Sequence, residues 1–148
     1  ANNILHKPTL YISKFIKHNQ KVYYDCLYNI HANGDYETWI KFFLAGVIET
    51  AREAVHIARS ITAIREEDLK KIYAMGRIGE NAMIIYEGLF DKPTISIEEA
   101  SKKLDISAAT SGRLLERLLE EGILSNLDNR KRKKVFVYKR YIDVFNKD

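Results

Sequence analysis

Up to Gly122 the apolar positions of this chain recur almost everywhere at spacings of three and four, the period of a helix with one buried face. Pro8 suits a first helical turn, where its missing N–H costs nothing, and Leu10, Ile12, Phe15 and Ile16 lie close to one stripe. A helix is predicted from about His6 to His18. A second, from about Gln20 to Ala32, carries Val22, Tyr23, Cys26, Leu27 and Ile30 and stops at Asn33-Gly34, read as a C-cap, with Asp35 capping the next helix. That third helix is the most regular: Trp39, Ile40, Phe43, Leu44, Val47, Ile48, Ala51, Ala54, Val55, Ala58 and Ile61 make it the expected central strut of an N-terminal bundle. From Arg65 to Lys71 every residue but Leu69 is polar, and Met75-Gly76-Arg77 follows. A boundary is expected there, giving residues 1–75 and 76–148, across a connection that is itself compatible with helix.

The C-terminal half has a different grammar. Asn81 to Phe90 reads as a first helix ending before Asp91-Lys92-Pro93, and Thr94-Ile95 as a short extended piece. Ser96 with Glu99 three residues on forms a capping box for a second helix, whose inner face carries Ala100 and Leu104. Asp105-Ile106 makes a tight turn. Ser107 then caps a third helix bearing Leu114, Leu115, Leu118 and Leu119, which ends at Gly122. Ile123 to Leu127 and the alternating Val135 to Tyr138 predict two strands joined by a polar tip. Tyr141 to Phe145 closes the segment as a short helix. The expected fold is mainly α: a helical bundle followed by a winged helix-turn-helix with a small β wing.

Composition changes this picture only locally. The chain has 148 residues, 46% hydrophobic and 30% charged, and a net charge of +4, ordinary for a globular protein able to bury a core. Seven Lys or Arg and no acid fall between Asn129 and Arg140, so the remainder is slightly acidic and the positive field belongs to the wing. The lone Cys26 cannot form an internal disulfide and is expected to be buried, which points to a reducing, cytoplasmic setting. No apolar run reaches the length of a membrane span and no charged-then-apolar leader begins the chain, so a soluble, unprocessed protein is expected. Because it begins at Ala1 rather than Met, it is expected to be a piece of a longer polypeptide.

Few catalytic groupings are on offer. His6, His18, His31 and His56 have no ligand spacing with Cys or carboxylates, and Gly76-Arg-Ile-Gly79 is too short for a phosphate loop. The helix-turn-helix reading carries more. The first turns of a recognition helix enter the major groove, where base edges present a readable donor and acceptor pattern. Ser107, Thr110, Ser111, Arg113 and Arg117 lie toward that end, with Arg113 the choice for a base edge and Ser107 and Thr110 for phosphates. On the wing, Arg130, Lys131, Arg132, Lys133 and Lys134 would neutralise backbone charge. Against DNA stand Glu116, Glu120 and Glu121, which would repel phosphate if they faced the duplex, and two alternatives stay open: the basic run merely solvates a hairpin, or the domain binds protein.

A further line comes from local sequence. Leu5-His-Lys-Pro-Thr-Leu-Tyr-Ile-Ser13, Tyr23-Tyr24-x-x-Leu27 and Gly34-Asp-Tyr-Glu-Thr-Trp-Ile-Lys-Phe-Phe-Leu44 resemble the helices that follow the catalytic loop in bacterial Fic (filamentation induced by cAMP) proteins. Gly88-Leu-Phe-Asp-Lys-Pro93, Leu104-Asp-Ile-Ser107, Thr110, Leu118, Glu121-Gly-Ile-Leu124, the basic wing and Tyr141-Ile142 are similar to the winged-helix domain appended to many long members of that family. The resemblance implies a parent that is a protein adenylyltransferase, using ATP and magnesium to place AMP on a hydroxyl of a target protein. It also implies that the helix bearing the tyrosine pair helps line an adenine pocket, through Tyr24 and His31. These are seven apart and so on one face, and the alternative is that Tyr24 packs in the interior. The family's His-Pro-Phe-x-Asp-Gly-Asn-Gly-Arg loop is absent from this sequence, as is its inhibitory Ser/Thr-x-x-x-Glu-Gly/Asn motif. The chain itself is therefore expected to bind rather than catalyse, with no metal or cofactor of its own. Double-stranded DNA is the expected partner, and the alternative is a protein-interaction or dimerisation module that recruits targets or pairs two copies.

Overall fold

A computed structural model of the chain describes residues 9–127 and 134–146. The protein is mainly helical, with a small three-stranded antiparallel sheet. It divides into two compact units between Arg59 and Ser60.

In the first unit, α1 spans Thr9–His18, α2 spans Gln20–Asn33, and α3, which runs Tyr36–Ala74, contributes its first part. The α2–α3 junction follows from its residues. Gly34 takes a left-handed φ of 68° that a side chain would resist, letting its N–H reach the carbonyl of Ile30 while that of Asp35 reaches Asn29. Asp35 then accepts from the Thr38 N–H at 3.1 Å, capping α3 and holding its own carboxyl below the usual range. Aromatic rings do most of the packing. Phe15 of α1 meets Phe42 at 5.3 Å between centroids, and Tyr23 of α2 meets Trp39 at 5.7 Å. Gly46 lies under Phe15 so closely that a Cβ there would come within 2.6 Å of the ring.

The second unit opens with the last part of α3. A 3-10 turn at Gly76–Ile78 leads into α4 (Gly79–Gly88), then β1 (Thr94–Ser96), α5 (Ile97–Leu104), α6 (Ala108–Glu120), β2 (Ser125–Asn126), β3 (Val135–Val137) and α7 (Lys139–Phe145). The sheet order is β1-β3-β2, with Ile95 opposite Phe136 on one side and Asn126 opposite Phe136 on the other. One core joins Ile72 of α3, Ala82, Ile85 and Tyr86 of α4, Leu114, Leu115 and Leu118 of α6, and Phe136 and Tyr138 from the sheet side. Burying these side chains supplies the main driving force for the unit.

The expected boundary near residue 75 is corrected. The polar stretch from Arg65 is helical, and α3 carries Ile61, Ile64, Asp68 and Ile72 along one inward stripe. Asp68, fully buried, occupies the position where an apolar residue would have kept the pattern legible. The short extended piece expected at Thr94-Ile95 is β1, paired with β3, whereas α4 starts at Gly79 rather than Asn81 and the strand expected from Ile123 to Leu127 is shortened to Ser125–Asn126. Ile123 and Leu124 are instead core residues whose N–H groups both reach the Leu118 carbonyl at the end of α6.

Candidate nucleic-acid interface

The α5–α6 pair is built by local chemistry. At the start of α5 the Ser96 hydroxyl accepts from the Glu99 N–H at 3.2 Å, and the Glu99 carboxylate accepts from the Ser96 N–H at 2.8 Å. Lys92 beside Glu99 draws that carboxyl down to about 2, with the Ser96 N–H helping. Asp105 ends α5 in a left-handed turn with φ 52°, which turns the chain at once into α6. Ser107 caps α6, accepting from the Thr110 N–H at 3.2 Å, and the two hydroxyls lie 2.9 Å apart. Leu114, Leu115 and Leu118 then seat α6 on the core.

This arrangement leaves Ser107, Thr110 and Arg113 exposed on the first turns of α6, three residues apart and on one face. Arg113 makes no ion pair among the described residues. Ser111 does not join them. It is fully buried on the opposite side, with its hydroxyl unpartnered, so the sequence-based assignment of Ser111 to a DNA contact is corrected. Its spacing from Leu114, Leu115 and Leu118 places it on the leucine face, a signal present in the sequence but masked by its polarity. Arg117 is exposed but held by Glu120 at 3.1 Å and Glu121 at 2.6 Å. Lys134 pairs with Glu116 at 3.3 Å, joining the end of the basic run to α6. Arg130, Lys131, Arg132 and Lys133 lie outside the described residues.

No family model matches the chain. Tyr24 and His31, the suggested adenine-pocket residues, are both exposed on α2, with Tyr24 touching the edge of Tyr23 at 5.4 Å between centroids. The alternative of an interior Tyr24 is also corrected, since 57% of it is exposed. Cys26 is buried as expected. Among the described residues no group of three or more His, Cys, Asp or Glu is placed to hold a metal ion, and no helix is long and apolar enough to cross a membrane.

A polar cluster behind this face has no counterpart in the sequence reading. Asp68 accepts from the hydroxyls of Tyr138 and Tyr86 and from Arg140 at 2.8 Å, while the two hydroxyls lie 2.8 Å apart. Arg140 also grips Glu67, which Lys71 approaches at 2.9 Å, and Lys71 donates to the Glu121 carbonyl at the end of α6. The electrostatics divide by burial. Desolvation pushes the Asp68 carboxyl up against the opposing pull of Tyr138 and Arg140, and it raises both tyrosines. Exposed Glu67 is drawn down to about 2 by Arg140 and Lys71. The cluster ties the end of α3 to α4, α6 and α7, and so positions α6. Its sequence signal was the one acid of the Glu66-Glu67-Asp68 run that falls at helical spacing between Ile64 and Ile72.

Proposed function

We propose that the second unit is a winged helix-turn-helix that binds double-stranded DNA, with α6 in the major groove and the β2–β3 connection as the wing. The observation that carries this reading is the first two turns of α6: Ser107, Thr110 and Arg113 are exposed on one face, Arg113 without an ion-pair partner among the described residues, and the leucines behind them are buried. A guanidinium in that position suits the acceptor pair of a guanine edge, and the two small hydroxyls suit phosphate oxygens. The basic run following β2 adds charge that is indifferent to sequence. With the Fic-like segments, the same reading makes the chain the carboxy-terminal region of a Fic-family protein, its own part being binding rather than AMP transfer.

One observation favours a second reading, a protein-binding module. Glu116, Glu120 and Glu121 neutralise Lys134 and Arg117 and would repel a phosphate backbone beside them. Anisotropy of labelled duplex DNA against salt separates the two. DNA binding predicts a linear fall of log affinity with log salt, and reversing Arg132, Lys133 and Lys134 to Glu lowers that slope by roughly 2 to 3. Arg113→Ala costs about 1–3 kcal/mol on a preferred site and less on random sequence. Failure of any duplex to bind at low salt, or indifference to the triple reversal, would overturn the DNA reading.

A further inference from the structure

On α6 the side chains turned furthest from the leucines are Ala109, Arg113 and Glu116, spaced four and three apart and all exposed, across the helix from Leu115 and Leu118. Ala109 is only a methyl group, so the first turn can approach a groove floor closely. Arg113 has no ion-pair partner among the described residues. Arg117, by contrast, has both terminal nitrogens engaged, one by Glu120 and one by Glu121. Glu116 is held through one oxygen, Oε1, by Lys134 at 3.3 Å, and its Oε2 takes no hydrogen bond among the described residues. Lys134 offsets the charge that would set a carboxylate against nearby phosphates. The pair is exposed and loosely held, which leaves Oε2 open to a donor.

We infer, resting on the DNA reading proposed above, that Glu116 is a specificity-determining residue that reads cytosine, next to a guanine read by Arg113. Three residues of helix advance ~4.5 Å, and one base pair about 3.4 Å, so the two side chains meet adjacent base pairs in the major groove. The guanidinium suits guanine, whose O6 and N7 are both acceptors. A carboxylate only accepts, so it selects the other way. Guanine and thymine present acceptors that repel it, and adenine sets N7 beside its amine. The N4 amine of cytosine is the edge that remains. The acid that a phosphate would repel thus faces base edges.

The test is selection of a duplex pool with a randomised core on the whole chain at low salt, followed by sequencing. The parent chain is expected to enrich guanine with cytosine at the adjacent base pair, on either strand. Glu116→Gln is expected to lose the cytosine and favour adenine there by at least about five-fold, because an amide can bond the N6 and N7 pair. Arg113→Ala is expected to lose the guanine and keep the cytosine. Both side chains are exposed, and unchanged circular dichroism will verify that the variants fold. Enrichment of the same cytosine by Glu116→Gln would overturn the inference. So would a change in overall affinity with unchanged base preference, which makes Glu116 a tether for Lys134. Retention of duplexes by the parent chain without base preference overturns it and leaves the DNA reading in place; retention of no duplex overturns both.

Discussion

Two amphipathic helices of this chain share an apolar period and end in opposite states. On α6 the leucines at 114, 115 and 118 are at most 3% exposed, while on the first part of α3 Ile40, Leu44 and Ile48 stand at 52% each. The difference lies in what the neighbours supply. Around α6 a second helix pair and a sheet cover the apolar stripe from several directions, and fourteen buried side chains join in one cluster. In the first unit α1 and α2 lay a row of rings on one face of α3, and among residues 12–59 only Cys26 and Gly46 are fully buried. Eleven of the sixteen large hydrophobics left exposed among the described residues fall between Val22 and Val55. Apolar surface concentrated in this way is a face that the described residues leave uncovered. Amphipathicity therefore states that a helix has a face to cover, and neighbours decide whether the chain covers it.

The strongest way to break this comparison is a matched pair of truncations. Leu115→Ala is expected to destabilise the second unit by about 2–5 kcal/mol, because it opens a cavity in a closed core. Ile48→Ala is expected to change stability by no more than about 0.5 kcal/mol, because the side chain already faces water. Urea denaturation followed by circular dichroism measures both; similar losses would erase the distinction between the two units.

A smaller effect sharpens it from the polar side. Arg140→Ala leaves buried Asp68 without its cation, and a loss of about 2–3 kcal/mol is expected at neutral pH, below a fully buried pair because Arg140 is partly exposed. Part of that loss should return in acid, where Asp68 protonates. Its carboxyl is already raised by desolvation, and removing the guanidinium raises it further. A deficit that is the same at pH 7 and pH 4 would mean that Arg140 acts by packing alone.

The smallest expected effect is the pH dependence of the exposed carboxyls. Glu67 and Glu99 are both lowered from 4.5 to about 2 in the folded state. Groups lowered on folding stabilise above their unfolded value and lose that contribution as pH falls through the folded one. Asp68 runs the other way, costing stability as it ionises. The melting temperature of Glu99→Gln should therefore lie slightly below that of the parent at pH 7 and converge on it between about pH 4.5 and 2. A gap that widens in acid would reverse the sign assigned to Glu99.

How much could be read in advance differs from element to element, and for physical reasons. The Ser96–Glu99 box, the Ser107 cap and the Gly34 stop were legible because each is settled within four residues by backbone groups that need a partner. The last turns of α3 were misread because a buried acid, satisfied by Tyr86, Tyr138 and Arg140, looks in sequence like a break in a stripe. Ser111 was misread for the same reason in reverse, a polar residue that packs among leucines.

Local spacing thus determined which segments are helices, where the capped ones start and stop, and which face of each is apolar. These follow from backbone hydrogen bonding and side-chain periodicity, both short-range. Tertiary structure alone decided that the second unit begins at Ser60, that Asp68 lies inside it, and that among the described residues Arg113 has no ion-pair partner while Arg117 and Lys134 are paired and the outer stripe of α3 is uncovered. Each of these depends on desolvation and charge pairing between residues distant in the chain, and such energies exist only once the elements have met.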